Sequence, residues 1–127
     1  MGQAAAHLSL GLGAGENLNE HVVGAGWPPA DVRQEMLEEA LQIIRSLFDG
    51  DGYTNFRGEH FDVESAKLWD LPEKRVPIGV ASGGAQASRI AGELADALIA
   101  TEPKPELVEA FDAAGGTGKP RIAQMPI

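Results

Sequence analysis

Between Asp31 and Phe48 the apolar residues recur at helical spacing, with Leu37, Leu41, Ile44 and Phe48 on one face and Ala40 and Leu47 beside them. Glu35, Glu38, Glu39, Gln42 and Arg45 take most of the remaining surface. The pattern predicts an amphipathic helix that buries one stripe. Asp31 as N-cap, with Gln34 three residues on, fits a capping box, and Asp49-Gly-Asp-Gly52 supplies the stop.

Elsewhere the period shortens. His7 to Gly13 alternates as a strand does, after a possible helical stub at Met1 to Ala6. Val76 to Ala81 is a continuous apolar run of the buried parallel kind, Asp96 to Thr101 is another short strand, and Pro120 to Ile127 closes the chain as a last one. Two further helices are predicted. One carries Ala87, Ile90, Ala91 and Leu94 after the Ser82-Gly-Gly84 turn; the other carries Leu107, Val108 and Phe111, enters through Pro103 and Pro105, and stops at Gly115 and Gly116. Tyr53 to Leu71 reads as irregular, with short extended pieces around Asn55 to Phe61.

Strand and helix therefore alternate, which predicts an α/β protein of about four parallel strands joined by three right-handed crossover helices. A full eightfold barrel takes about 250 residues. Four such strands build either an arc of barrel wall or an open doubly wound sheet, and residues 1–127 read as one domain.

Composition narrows the chemistry. At 43% hydrophobic and 23% charged, the 127 residues can bury a core. Ten Lys and Arg against nineteen Asp and Glu leave a net charge of −9, which argues against nucleic acid as a partner. The absence of Cys excludes disulfides, thiolate metal sites and Cys nucleophiles. No signal peptide and no apolar run of about 20 residues is visible, so the expectation is a cytoplasmic protein with no membrane partner.

Two glycine runs invite phosphate readings and fail on spacing. Gly11-Leu-Gly-Ala-Gly15 lacks the last glycine of G-x-G-x-x-G, because Glu16 and Leu18 stand where it would fall. Gly115-Gly-Thr-Gly-Lys119 lacks the first glycine and the final hydroxyl of a phosphate loop, where Ala113 and Pro120 stand. What remains is position. Ligands of parallel α/β folds bind at the carboxyl ends of strands, where Gly13 to Asn19 and Ser82 to Gln86 lie. The second turn also opens a helix, a ready place for phosphate. In the first turn Glu16 reads as an acid or base, or as a solvated loop acid or helix cap; Asn19 reads as a helix cap or a ligand donor.

Other candidates point to structure. His7, His21 and His60 are too widely spaced for a metal signature, and no metal is expected. Asp49 to Gly52 begins like a calcium loop that Tyr53 breaks. Glu35, Glu38 and Glu39 read as a solvated face, and Trp27 and Trp69 as packing beneath loops.

The segment Leu12-Gly-Ala-Gly-Glu-Asn-Leu-Asn-Glu20 resembles the G-x-G-[TA]-G-E-x-x-N-E stretch of luciferase-like oxidoreductases that use the deazaflavin coenzyme F420, in their glucose-6-phosphate dehydrogenase-like branch. The likeness continues, in family order, through Gly52 to Phe61, Val76 to Gly84 and Ile90 to Ile99. It implies part of a (β/α)8 barrel, family strands four to seven, in an enzyme that moves hydride between an organic substrate and the deazaflavin. A homodimer or pairing with a complementary chain is also implied. By resemblance Glu16 would protonate the ring, and Ala14, Gly15 and Asn19 would contact the coenzyme. Ser82, Gly83, Ala85 and Gln86 would line its tail, while Gly84 lets the turn approach the phosphate. The family's Asp-His pair, whose His takes the substrate proton, has no counterpart in these residues, and Pro103 stands where a substrate-phosphate Lys would fall. The expectation is a truncated oxidoreductase, inactive alone. An FMN-dependent luciferase-like monooxygenase fragment and a non-catalytic, self-associating half-barrel are the alternatives.

Overall fold

The computed structural model describes residues 9–15, 26–50 and 52–123. Four strands form one parallel sheet: β1 (Leu10–Leu12), β4 (Ile78–Ser82), β5 (Ala97–Ala100) and β6 (Arg121–Ala123), in the order β1-β4-β5-β6. Helix α1 (Ala30–Asp49) and a hairpin of β2 (Thr54–Arg57) and β3 (Asp62–Ala66) lie between β1 and β4. Helix α2 (Ala85–Leu94) follows β4, and α3 (Pro105–Phe111) follows β5. The expected four parallel strands and three helices are present.

Strand register sorts the side chains. Leu10 pairs with Ile78, Leu12 with Val80, and Val80 with Leu98, so these positions share a face. There Ile78, Val80 and Leu98 join Leu37 and Leu41 of α1, Ile90 and Ala91 of α2, and Phe111 of α3 in the core. The opposite face is built small: a Cβ added at Gly11 or Gly79 would lie 3.7 or 3.0 Å from Ile99 Cδ1.

Four expectations change. The N-cap of α1 lies two residues before the expected Asp31: it is Pro29, its carbonyl accepts from the Arg33 N–H at 3.0 Å, and no side chain caps it. Asp31 is therefore a first-turn acid that complements the helix dipole, not the cap, and Gln34 closes no capping box. The supposedly irregular stretch contains the antiparallel hairpin, which survives a register shift between Thr54 and Phe56. Its turn is clamped to α1: the Glu39 carboxylate accepts from the N–H groups of Glu59, His60 and Phe61 at 3.0 to 3.1 Å. Glu39 is thus a structural acceptor within a run that reads as solvated. Trp69 is 75% exposed rather than buried under a loop, in edge contact with Tyr53 and with Lys67 Nζ 4.7 Å over its ring. Of the last strand, Arg121–Ala123 is observed and residues 124–127 lie outside the described residues.

The end of α2 is closed from afar. Lys119 Nζ donates to the carbonyls of Gly92 and Ala95 at 2.8 and 2.9 Å, satisfying acceptors that a helix end leaves open.

Candidate functional site

The turns after β1 and β4 meet at the carboxyl end of the parallel sheet. Gly13, Ala14 and Gly15 line one cavity of about 420 Å3 together with Ala81, Ser82, Gly83 and Gly84. Gln34, Ala87, Thr101 and Glu102 complete its wall. Parallel pairing of β1 with β4 and of β4 with β5 brings the three strand ends side by side, so the topology itself assembles the cavity.

In the first turn, a side chain larger than glycine would not fit at position 15. Gly15 has φ 85°, a left-handed conformation, and a Cβ there would sit 3.2 Å from Trp27 Cη2. At Gly84 the backbone is extended and an added Cβ meets nothing within 4 Å, leaving room for a ligand over the start of α2. No side chain caps that helix and no acid lies in its first turn, so its free N–H groups are open to an anion.

Ser82 behaves differently from its neighbours. It is 1% exposed, and its hydroxyl is committed to Ser88 Oγ and the Gly84 carbonyl, each at 2.8 Å. Its carbonyl accepts from the Thr101 N–H and hydroxyl at 3.1 and 2.9 Å, locking the β4 and β5 ends together. Ser82 therefore shapes the turn while its hydroxyl stays internal.

Ala14, Gly15, Ser82, Gly83 and Gly84 thus come together on one cavity. Ala85 and Gln86 occupy the exposed first turn of α2 beside it. Glu16 and Asn19 lie outside the described residues, as do His7 and His21. Sequence reasoning missed Gln34, Thr101 and Glu102. The last two follow β5 directly, so the strand-end rule could have found them; Gln34 offers no such signal.

Charge at the rim is balanced. Lys104 Nζ lies 2.8 Å from Glu102 Oε2, and this carboxylate raises the pKa of the lysine above its ordinary value. A second, largely apolar cavity of about 400 Å3 shares Gly13 and Ala14 with the first and is walled by Trp27, Met36 and Phe61. Arg33 stacks 4.6 Å over the Trp27 ring there and donates to the Pro28 carbonyl at 2.6 Å. One potential metal-donor group occurs among the described residues, Glu35, Glu59 and His60, with ligand atoms within 4.8 Å of one another. It belongs to the hairpin clamp, where His60 Nε2 and Glu35 Oε1 already pair at 3.2 Å.

A family model described as luciferase-like monooxygenase matches residues 8–114. The chain is 42% identical over 99 residues to the F420-dependent glucose-6-phosphate dehydrogenase of Microbacterium testaceum (strain StLB037), covering 77% of this chain and 29% of that protein. It is 37% identical over 118 residues to the enzyme of the same description from Kineococcus radiotolerans, covering 85% of this chain and 35% of that one. In structure it is similar to an F420-dependent secondary alcohol dehydrogenase solved with an F420-acetone adduct. That likeness has a TM-score of 0.80 at 28% identity and covers 91% of this chain and 38% of that one. The chain spans about a third of the length of the relatives it matches. Its four parallel strands are an arc of a (β/α)8 barrel wall rather than an open doubly wound sheet.

Proposed function

This chain belongs to the luciferase-like monooxygenase family, and from that premise we propose that it is a coenzyme-binding portion of an F420-dependent oxidoreductase. Residues 1–127 would form one partial barrel unit. The observation that carries the reading is the cavity shared by the Gly13–Gly15 and Ser82–Gly84 turns at the carboxyl ends of adjacent parallel strands.

The residues fit such a coenzyme. The uncapped start of α2 offers N–H groups to a phosphate, and the open space over Gly84 admits it. Gly15 holds the first turn in a left-handed conformation beside the cavity in which the ring would lie. When bound, the deazaflavin supplies hydride exchange with an organic substrate. In this reading Glu16 holds the proton that neutralises negative charge at ring N1, and Asn19 helps orient the ring. Ala85 and Gln86 flank the coenzyme tail. The residues present supply no counterpart of the Asp-His pair that takes the substrate proton, so turnover by these residues alone is not expected. The same reading places the protein in the cytoplasm; among the described residues no helix is long and apolar enough to cross a membrane.

Titration of the purified chain with F420, followed by deazaflavin fluorescence, tests this. Saturable quenching at micromolar coenzyme is expected, and no change at high micromolar concentration would remove the reading. FMN in a parallel titration tests the flavin alternative, which tighter FMN binding would favour.

A second reading concerns assembly. β1 and β6 end the parallel sheet, and each has one edge unpaired among the described residues. Such edges favour pairing with a second copy or a complementary chain. Native mass spectrometry or light scattering showing only monomer would exclude the homodimer.

A further inference from the structure

The two faces of the parallel sheet are finished to different degrees. One packs Ile78, Val80 and Leu98 against the helices. On the other, Gly11 pairs with Gly79, Gly79 with Ala97, and Ile99 with Ile122, so these residues share the helix-free side. Gly79 and Ala97 in the middle are buried, whereas Gly11 at one edge is exposed and Ile122 at the other is 54% exposed. Inside the sheet a large residue covers a small one: a Cβ added at Gly79 would lie 3.0 Å from Ile99 Cδ1. At the edges the isoleucine of β6 and the glycine of β1 each stand without a further strand among the described residues.

We propose that two copies of this chain close one eight-stranded barrel, with β1 of each beside β6 of the other; this rests on the assembly reading above and fixes its partner and its seam. The barrel closes on eight parallel strands, twice the four present. A two-fold rotation about the barrel axis keeps all eight parallel and makes the two seams identical, so each copy satisfies both of its edges at once. Any pairing that uses one edge leaves the other open to further addition. The seam also joins unlike shapes, because the exposed Ile122 of one copy comes to the exposed glycine edge of the other. Closure turns the helix-free face into barrel interior, which such folds fill with layers of side chains.

Light scattering of the full chain over a concentration series tests the partner, and hydrogen exchange tests the seam. The expected species has twice the mass of one copy. As it forms, exchange at residues 10–12 and 121–123 should slow at least about tenfold, while the β2–β3 hairpin is unchanged. Ile122→Asp places a charge inside the closed barrel but near solvent in a single copy, so it should keep its circular dichroism and run as a monomer. Trp69→Ser alters the most exposed of the large apolar side chains described and should leave the dimer intact. If Ile122→Asp does not fold, exchange at the two edges of the unaltered chain decides. A monomeric unaltered chain overturns the closure and the homodimer together. A dimer that survives Ile122→Asp, that is lost in Trp69→Ser, or that forms without slowed exchange at both edges overturns the closure alone and leaves the homodimer standing.

Discussion

Arg45 Nη2 lies 2.6 Å from Asp96 Oδ2, joining the C-terminal part of α1 to the start of β5. Asp96 does more than receive this arginine. The same carboxylate accepts the Ile78 N–H at 2.8 Å and pairs with Arg75 at 2.5 Å, while Arg45 also donates to the Val76 carbonyl at 3.1 Å. One acid thereby holds the entry to β4, the entry to β5 and the long helix in register, at the end of the sheet opposite the cavity.

This junction predicts acid sensitivity. Partial desolvation acts to raise the Asp96 pKa, but the Ile78 N–H and the two arginines outweigh it and hold the carboxyl below its ordinary value. A depressed pKa means stabilisation that is complete above the unfolded value of about 3.9 and is lost as pH falls through the folded value. Urea melts between pH 3 and 7 should show stability declining below about pH 4, with a shallower decline in Asp96→Asn. At pH 7 that substitution should cost about 1–3 kcal/mol, since it weakens two arginine contacts. Identical pH profiles for the two proteins would rule the junction out as the origin.

Glu39 predicts a local effect. Desolvation is the largest single influence and opposes ionisation, yet the N–H groups of His60, Phe61 and Glu59 together keep its pKa lowered. Glu39→Gln removes the charge and presents only one amide oxygen to three donors. Hydrogen exchange at residues 59–61 should accelerate by about tenfold, as expected of a loosened local unit, with the β4–β5 ladder unaffected. Unchanged exchange would mean that the hairpin holds its own turn.

Gly92 predicts an overpacking penalty. A Cβ there would run into the Phe111 carbonyl and lie 2.9 Å from Ala114 Cβ, where α2 meets the chain following α3. Ala is the better helix former, so propensity alone says Gly92→Ala should stabilise. Close packing predicts the reverse, a loss of about 1–3 kcal/mol visible as a lower melting temperature.

Gly84 separates folding from binding. Its φ of −155° suits any residue, and an added Cβ is unobstructed, so Gly84→Val should fold with at most about 1 kcal/mol lost through weaker capping. The new side chain would project where the cavity is open. F420 affinity should fall at least about tenfold, the scale expected when a ligand group is displaced from its site. Retained affinity would place the phosphate elsewhere.

Periodicity made α1, α2, β4 and β5 legible, because Leu37, Leu41, Ile78, Val80, Ile90 and Leu98 each follow from which face must be buried. The alternation of strand and helix carried the parallel topology, and short glycine turns at strand ends marked Gly15, Gly83 and Gly84. The β2–β3 hairpin was hidden because its support is non-local: Gly58 and a register shift break its alternation, and the acceptor for its turn comes from Glu39, twenty residues or more upstream. Gln34 and Ser82 show the same division at the site. The helix pattern makes Gln34 a polar position and cannot say that it lines the cavity built by the turns after β1 and β4. Position marks Ser82 as a strand-end residue, yet only packing against Ser88 turns its hydroxyl inward. Sequence by itself determined which elements form and in what order, since local spacing sets which face is buried. Tertiary structure decided which polar groups meet, because hydrogen bonds depend on ångström-scale approach between segments that the chain keeps far apart.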